Sequence, residues 1–327
     1  MKTYSFIGSD KNAGKTTAFK AVYQQMHNDP ARGPLCITSI GINGEEADSY
    51  EGGSKPTIRL IRDTFFISSG EQLHRHTGKY ETLATFREPH FSRDYILGRC
   101  LTGFAVVLEG PNSGQEILRL KEDLRQRLPA ETILLIDGSI DRQFLARPEI
   151  SDGFFFAVLF TSRVPQQQKT RNFLSALSIV SCPEATARLI RQHKNEATKS
   201  LLMDAQGNLR YRGEVMPYSD KDLLQACEAA SDQHGILYLD GAFTSSLHEA
   251  LACYQNLDVV LDNFSQYLNI STEPAKTILF RPGLFLLNPV KVQAMYIKQE
   301  TDFAPGLLPA HTRAINLFRT DHHEIGI

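Results

Sequence analysis

The sequence predicts an α/β chain: a doubly wound parallel sheet over residues 1–180, followed by a second, smaller α/β domain over residues 181–327. Three observations carry that expectation. The short apolar runs are continuous rather than alternating, as in strands covered on both faces. Stretches with helical spacing lie between them, as crossovers between parallel strands require. The first run ends in a glycine-bearing loop that opens directly into a helical stretch.

Taken in order, Tyr4, Phe6 and Ile7 make the first strand, the loop reads GSDKNAGKTT over Gly8–Thr17, and a helix follows from Thr16 to Met26. Strand, glycine loop and Gly-Lys-Thr opening a helix form the phosphate-binding loop of nucleoside triphosphatases, so the first domain is expected to be P-loop NTPase-type. Backbone N–H groups of such a loop and of the helix start converge on an anion. Gly8, Asn12, Ala13, Gly14, Lys15, Thr16 and Thr17 are the nucleotide-binding candidates. Gly14 allows close backbone approach, Lys15 brings a charge to the β and γ phosphates, and Thr16 offers a hydroxyl to Mg²⁺. One departure stands out. The usual first glycine of the motif falls on Ser9, and the glycine sits one place earlier, at Gly8.

Further strands are expected at Leu35–Ile40, Ala105–Leu108, Ile133–Ile136 and Phe154–Phe160. The stretch Gln115–Leu128 spaces Ile117, Leu118, Leu120, Leu124 and Leu128 as an amphipathic helix. Beyond residue 180 the reading continues with a helix over Pro183–Leu202 and a hairpin turning at Gln206-Gly207. Strand signals follow at Ile236–Gly241, Asp258–Asp262, Leu284–Asn288, Val292–Ile297 and Ile315–Phe318, with a helix near Ser246–Tyr254. A single extended sheet with insertions is the alternative architecture.

A phosphate loop needs a carboxylate at the end of another strand to organise the metal. Asp137 ends ILLID and Glu109 ends AVVLE; both are expected at carboxyl ends of parallel strands on the loop's edge. Asp137 ranks first for Mg²⁺, with Glu109 as a metal ligand or a group behind one, and both join Lys15 as catalytic candidates. The loop Thr38–Asp48, with Glu45, Glu46 and Asp48, is a candidate switch or substrate contact. Asp141 and Arg142 lie near the same edge, where Arg142 could neutralise phosphate or pair with Asp141 or Glu149. No Asn/Thr-Lys-x-Asp guanine motif follows Phe160, which points to ATP rather than GTP. Lys11 stands four residues before Lys15, and Asp10 holds the place of the signature lysine of the deviant Walker A group. The pairs His74/His76 and His322/His323 lack a third ligand in view and are not expected to bind metal.

A net charge of −2 gives no reason to expect a nucleic-acid or membrane partner. Five scattered cysteines without metal spacing fit reduced thiols, and no signal segment or run of about 20 apolar residues is present, so a cytoplasmic protein is expected.

The strings MKTYSFIGSDKNAGKTT, TSIGINGEEAD, EGPNSG and LLIDGSIDRQFLARPEISDGFFF, with LDGAFTSSL and LLNPVKVQAM later, extend over most of the chain. They resemble the nucleotide-binding reactivating-factor subunit encoded beside lysine 5,6-aminomutase in amino-acid-fermenting bacteria. The resemblance implies an ATP-dependent helper of an adenosylcobalamin enzyme, working with a second ATPase subunit and the aminomutase as partners. Three functions are therefore open: an ATPase coupled to a protein partner; a kinase or ATP-dependent synthetase of the dethiobiotin or cobyrinate type; and a nucleotide-binding regulator without turnover.

Overall fold

The computed structural model describes residues 1–42, 57–87, 89–138, 143–215, 225, 227–228, 234–254, 256–267, 283–301, 308, 312–317 and 324–325. The chain is α/β and divides into two compact units. Unit 1 comprises Met1–Thr170 and Lys291–Ile327, and unit 2 comprises Arg171–Val290.

Unit 1 begins with β1 (Lys2–Gly8), α1 (Lys15–His27) and β2 (Leu35–Ser39). The chain then forms short strands β3 (Gly41–Ile42), β4 (Ile58–Leu60) and β5 (Phe65–Ser69), and the single-turn helix α2 (Gly70–His74). Strands β6 (Tyr80–Phe86), β7 (Tyr95–Cys100), β8 (Phe104–Val106) and β9 (Glu109–Gly110) precede α3 (Gly114–Arg127). The buried strands β10 (Ile133–Asp137) and β11 (Gly153–Phe160) lead to α4 (Val164–Leu177), which enters unit 2.

Unit 2 holds β12 (Val180–Ser181), α5 (Glu184–His193), β13 (Ser200–Asp204), β14 (Leu209–Gly213), β15 (Gly235–Leu239), α6 (Ser245–Leu251), β16 (Leu257–Leu261) and β17 (Leu284–Leu286). The chain returns to unit 1 as β18 (Lys291–Gln299), β19 (Ala314–Asn316) and β20 (Glu324–Ile325).

The unit 1 sheet runs β20-β19-β18-β11-β1-β10-β2-β5-β7-β6. Its middle, from β19 to β5, is parallel, and antiparallel strands close both sides. The expected continuous apolar strands are here for the expected reason: β2, β10 and β11 are buried at every residue. Phe6, Phe19, Tyr23, Leu35, Ile37, Leu135 and Phe155 belong to one core under α1, with Phe6 stacked on Phe155 at 4.8 Å. Burying each such side chain contributes roughly 1.5–3 kcal/mol.

Unit 2 has a smaller mixed sheet, β12-β17-β16-β15-β13-β14, whose expected hairpin β13–β14 turns at Gly207 with φ 83°. Three expectations are corrected. The helix expected over Pro183–Leu202 ends at His193, and Ser200–Asp204 form β13. The second domain was expected to run to residue 327, but β18 and β19 extend the unit 1 sheet beside β11. Their apolar runs are the same whichever sheet receives them, so local pattern could not choose. The run Ala105–Leu108 was expected as a strand of the parallel sheet. Its residues 105 and 106 pair instead with β4 in a separate antiparallel ribbon, and Val106 and Leu108 satisfy their apolarity within the main core cluster.

Candidate functional site

Strand order places the site. From β1 the chain passes through α1 to β2, beyond β10; from β10 it passes to β11, on the other side of β1. Chain connections diverging from neighbouring strands leave a crevice at their carboxyl ends, where ligands bind in open α/β sheets. The Gly8–Thr17 loop occupies that position.

Each loop residue has a distinct task. Ser9 is buried; its N–H donates to the Ala157 carbonyl at 2.9 Å, and its Oγ accepts the Leu159 N–H at 3.0 Å. The hydroxyl thereby prolongs the β1–β11 ladder by one step, which accounts for serine where the standard motif has glycine. Ala13 is fully buried in a small cluster with Ala157 and Leu159. Asn12 and Gly14 have left-handed backbones, φ 62° and 92°. Gly14 meets that requirement without the steric cost a side chain would bring. A Cβ at Gly8 would lie 2.7 Å from Lys15 Cγ, so the lysine stem runs back over Gly8. The glycine placed one residue early makes room for the lysine.

The start of α1 is electrostatically unlike those of α2, α3 and α6. Ser69, Ser113 and Thr244 cap α2, α3 and α6 with their side chains. Gly14 gives α1 no side-chain cap, and its first turn holds no acidic residue. The positive end of the helix dipole therefore meets Lys15 rather than a carboxylate, an arrangement suited to an external anion. Beside it, Thr16 Oγ1 donates to Asp137 Oδ2 at 3.3 Å, from the end of the adjacent strand β10. Thr17 is exposed on α1.

Asp10 adds a buried carboxylate to the loop; its Oδ1 accepts the Lys11 N–H at 2.8 Å and lies 3.7 Å from Lys169 Nζ. Lys298, from β18, donates to the Asn12 carbonyl at 3.1 Å. Neither Lys169 nor Lys298 was among the sequence candidates. A lone lysine far along the chain has no motif to mark it.

Glu109 corrects one expectation and keeps another. It does not end a strand of the parallel sheet; β9 pairs antiparallel with β3 in a two-residue ribbon. Yet that ribbon sits at the carboxyl end of β2, where Ser39 Oγ donates to the Leu108 carbonyl and accepts the Gly110 N–H. Asp137 registers with Ser39, so both carboxylates do belong to one sheet edge. Their surroundings differ. Glu109 is buried, 2.6 Å from Arg93 Nη1, and takes a hydrogen bond from Ser69 Oγ at 2.5 Å. Glu109 is thus a buried carboxylate already compensated by a guanidinium, which makes it less available to a metal.

Thr38 and Ser39 are buried and bonded within the sheet edge. Glu45, Glu46, Asp48, Asp141 and Arg142 lie outside the described residues. The Glu149 carbonyl accepts from the buried Lys121 Nζ at 2.8 Å, and the Ile150 carbonyl does so at 2.6 Å.

Unit 2 carries its own polar cluster at the carboxyl ends of β15, β16 and β17. Asp262 Oδ1 accepts from Lys194 Nζ at 2.8 Å, Tyr238 Oη at 2.8 Å and Asn288 Nδ2 at 3.2 Å. Burial pushes this carboxyl up, but the hydrogen bonds from Lys194, Tyr238 and Asn263 outweigh it and hold the group below its usual range.

Comparison with family models, curated proteins and solved structures returns no match. Among the described residues no helix is long and apolar enough to cross a membrane.

Proposed function

We propose that this chain is a Mg²⁺-dependent ATP-binding and ATP-hydrolysing protein of P-loop type, acting at the Gly8–Thr17 loop. The observation that carries the reading is the convergence of Lys15, Thr16 and Asp137 at the uncapped start of α1. The residues suit the group they would hold. The backbone N–H groups of the loop and first helical turn would take the phosphates, and Lys15 would neutralise their charge. Thr16 and Asp137 present hydroxyl and carboxylate oxygens of the kind a hard cation prefers. Bound Mg²⁺ would supply charge stabilisation for phosphoryl transfer to water.

The biological setting we propose is that of the resemblance: a cytoplasmic ATPase subunit that helps a cobalamin-dependent aminomutase recover from inactivation, together with a second ATPase subunit. The similar strings run through both units, from the loop to Leu286–Met295, and that extent supports a role for the whole chain. A second reading, a small-molecule kinase or synthetase, is supported by Glu109 and Arg93 at the same sheet edge, where an acceptor could lie.

Titration with a fluorescent ATP analogue and Mg²⁺ tests the first part. Lys15→Ala is expected to weaken binding roughly a hundredfold, the loss of about 2–3 kcal/mol of charge-assisted hydrogen bonding. Asp137→Asn is expected to keep binding and lose Mg²⁺-dependent turnover. Unchanged affinity in Lys15→Ala would refute the site. Turnover measured with and without the aminomutase tests the setting: equal rates would remove the coupling. ADP formation that depends on one added carboxylate or amine would select the second reading.

A further inference from the structure

We propose that Lys298 is a positioning residue of the phosphate loop, tuning nucleotide affinity by holding the Asn12 carbonyl outward and so fixing the turn that precedes the N–H groups of Gly14, Lys15 and Thr16; this rests on the nucleotide reading above. A loop that aims successive N–H groups at an anion must turn the intervening carbonyls away from it. Asn12 and Gly14 are the two left-handed residues that produce that alternation, φ 62° and 92°. The Asn12 carbonyl is met from outside by Lys298 Nζ at 3.1 Å, while the N–H of the same peptide, that of Ala13, donates to the Asp10 carbonyl at 3.3 Å. Both polar ends of this peptide are thus engaged. Asparagine tolerates the left-handed region but does not enforce it as a preorganised loop would need.

The lysine is well placed for such a hold. Its backbone lies within the nine-residue strand β18, in register with Leu159 of β11. Leu159 itself donates its N–H to Ser9 Oγ at the other end of the loop. One pair of neighbouring residues on β11 and β18 therefore holds the loop at Ser9 and at Asn12. Glu300 Oε1, 3.6 Å from Lys298 Nζ, is a second anchor for the ammonium. Lys169 is a weaker candidate for the same task. It meets Asp10 only at 3.7 Å, and its side chain is 59% exposed against 29% for Lys298.

The consequence is a conformational tax on binding. If losing the ammonium lets the peptide rotate, the competent fraction of the loop falls and the apparent Kd rises in inverse proportion. The test uses the full chain, a fluorescent ATP analogue and Mg²⁺ at 25 °C, with Lys298→Met to keep the stem and Lys298→Arg to keep a donor. Lys298→Met is expected to raise Kd about tenfold, matching a competent fraction of roughly a tenth, and Lys298→Arg to recover to within about threefold of wild type. Melting without nucleotide should stay within about 2 °C of wild type in both, since one half-exposed hydrogen bond carries little of the global stability.

Affinity of Lys298→Met within twofold of wild type overturns the proposal. So does weakened binding that follows a fall in nucleotide-free melting temperature and is not recovered by arginine, which marks a purely structural cross-link. A Lys15→Ala control separates the two levels. Wild-type affinity in that control strikes the nucleotide site itself. Loss of binding there, with Lys298→Met indifferent, strikes only the role of Lys298.

Discussion

At Ser9 the loop replaces a glycine with a hydroxyl, and that hydroxyl accepts the buried Leu159 N–H. Restoring the motif's usual residue should therefore harm this chain. Ser9→Gly leaves a buried donor without its acceptor and adds backbone freedom to the unfolded state, at a cost of about 1–3 kcal/mol. Urea denaturation would register it as a lower midpoint at unchanged slope; a neutral or stabilising effect would show that the Ser9–Leu159 bond contributes nothing. The same scale shows where reading residues one at a time stops. That Lys15 and Thr16 open α1 beside Asp137 is legible because a spacing and a strand end fix those places. Glu109 was legible as a carboxylate at the sheet edge, but its partners Arg93 and Ser69 were not. Nothing in the string AVVLEG tells which guanidinium will fold over it.

Among the elements, α3 is tethered by a buried lysine. Lys121 is 4% exposed, and its Nζ donates to the Glu149 and Ile150 carbonyls just before β11. Burial pulls the pKa of its ammonium down, with Asp152 and Glu149 opposing that shift. Lys121→Met keeps the stem and removes both donors, so about 2–4 kcal/mol of stability should be lost by chemical denaturation. A loss below about 0.5 kcal/mol, the range of an ordinary surface change, would mean that the two carbonyls find water as readily. Helices α1 and α3 could be read from sequence because apolar spacing and buried face coincide, as in Ile117, Leu120 and Leu124. The hairpin β13–β14 could be read because a tight turn is a local event. The ribbons β3–β9 and β4–β8 could not, since an apolar run such as Ala105–Leu108 looks the same in a central strand and beneath a sheet. Strand β18 is legible as a strand but not as a member of unit 1: its neighbour β11 lies far upstream, and register between distant strands is decided by the assembled core.

At the scale of the whole molecule, unit 1 is discontinuous in sequence and unit 2 is inserted in it. That arrangement predicts two separable responses. On the proposed function, a nucleotide bound only by the native Gly8–Thr17 loop, at about 100 times its Kd, adds roughly 2.7 kcal/mol to the unit that holds it. For a unit of about 200 residues this corresponds to roughly 5–10 °C in its melting transition. Unit 2 should respond instead to acid through Asp262. The folded-state pKa of this group is depressed, so its contribution is complete above the unfolded value of about 3.9 and disappears as pH falls through the folded value. Asp262→Asn removes that dependence, although it also leaves the Lys194 ammonium without its closest carboxylate and lowers stability at neutral pH. The informative quantity is therefore the slope of melting temperature against pH between about 6 and 3, which should be shallower in Asp262→Asn than in wild type for the unit 2 transition. Calorimetry of the full chain with MgATP analogue, and then across that pH range, reads both effects. Nucleotide should move one transition and Asp262→Asn should flatten the acid response of the other. A single transition that moves as one under both treatments would show that the units unfold as one cooperative body, with the insertion stabilised only as part of the whole.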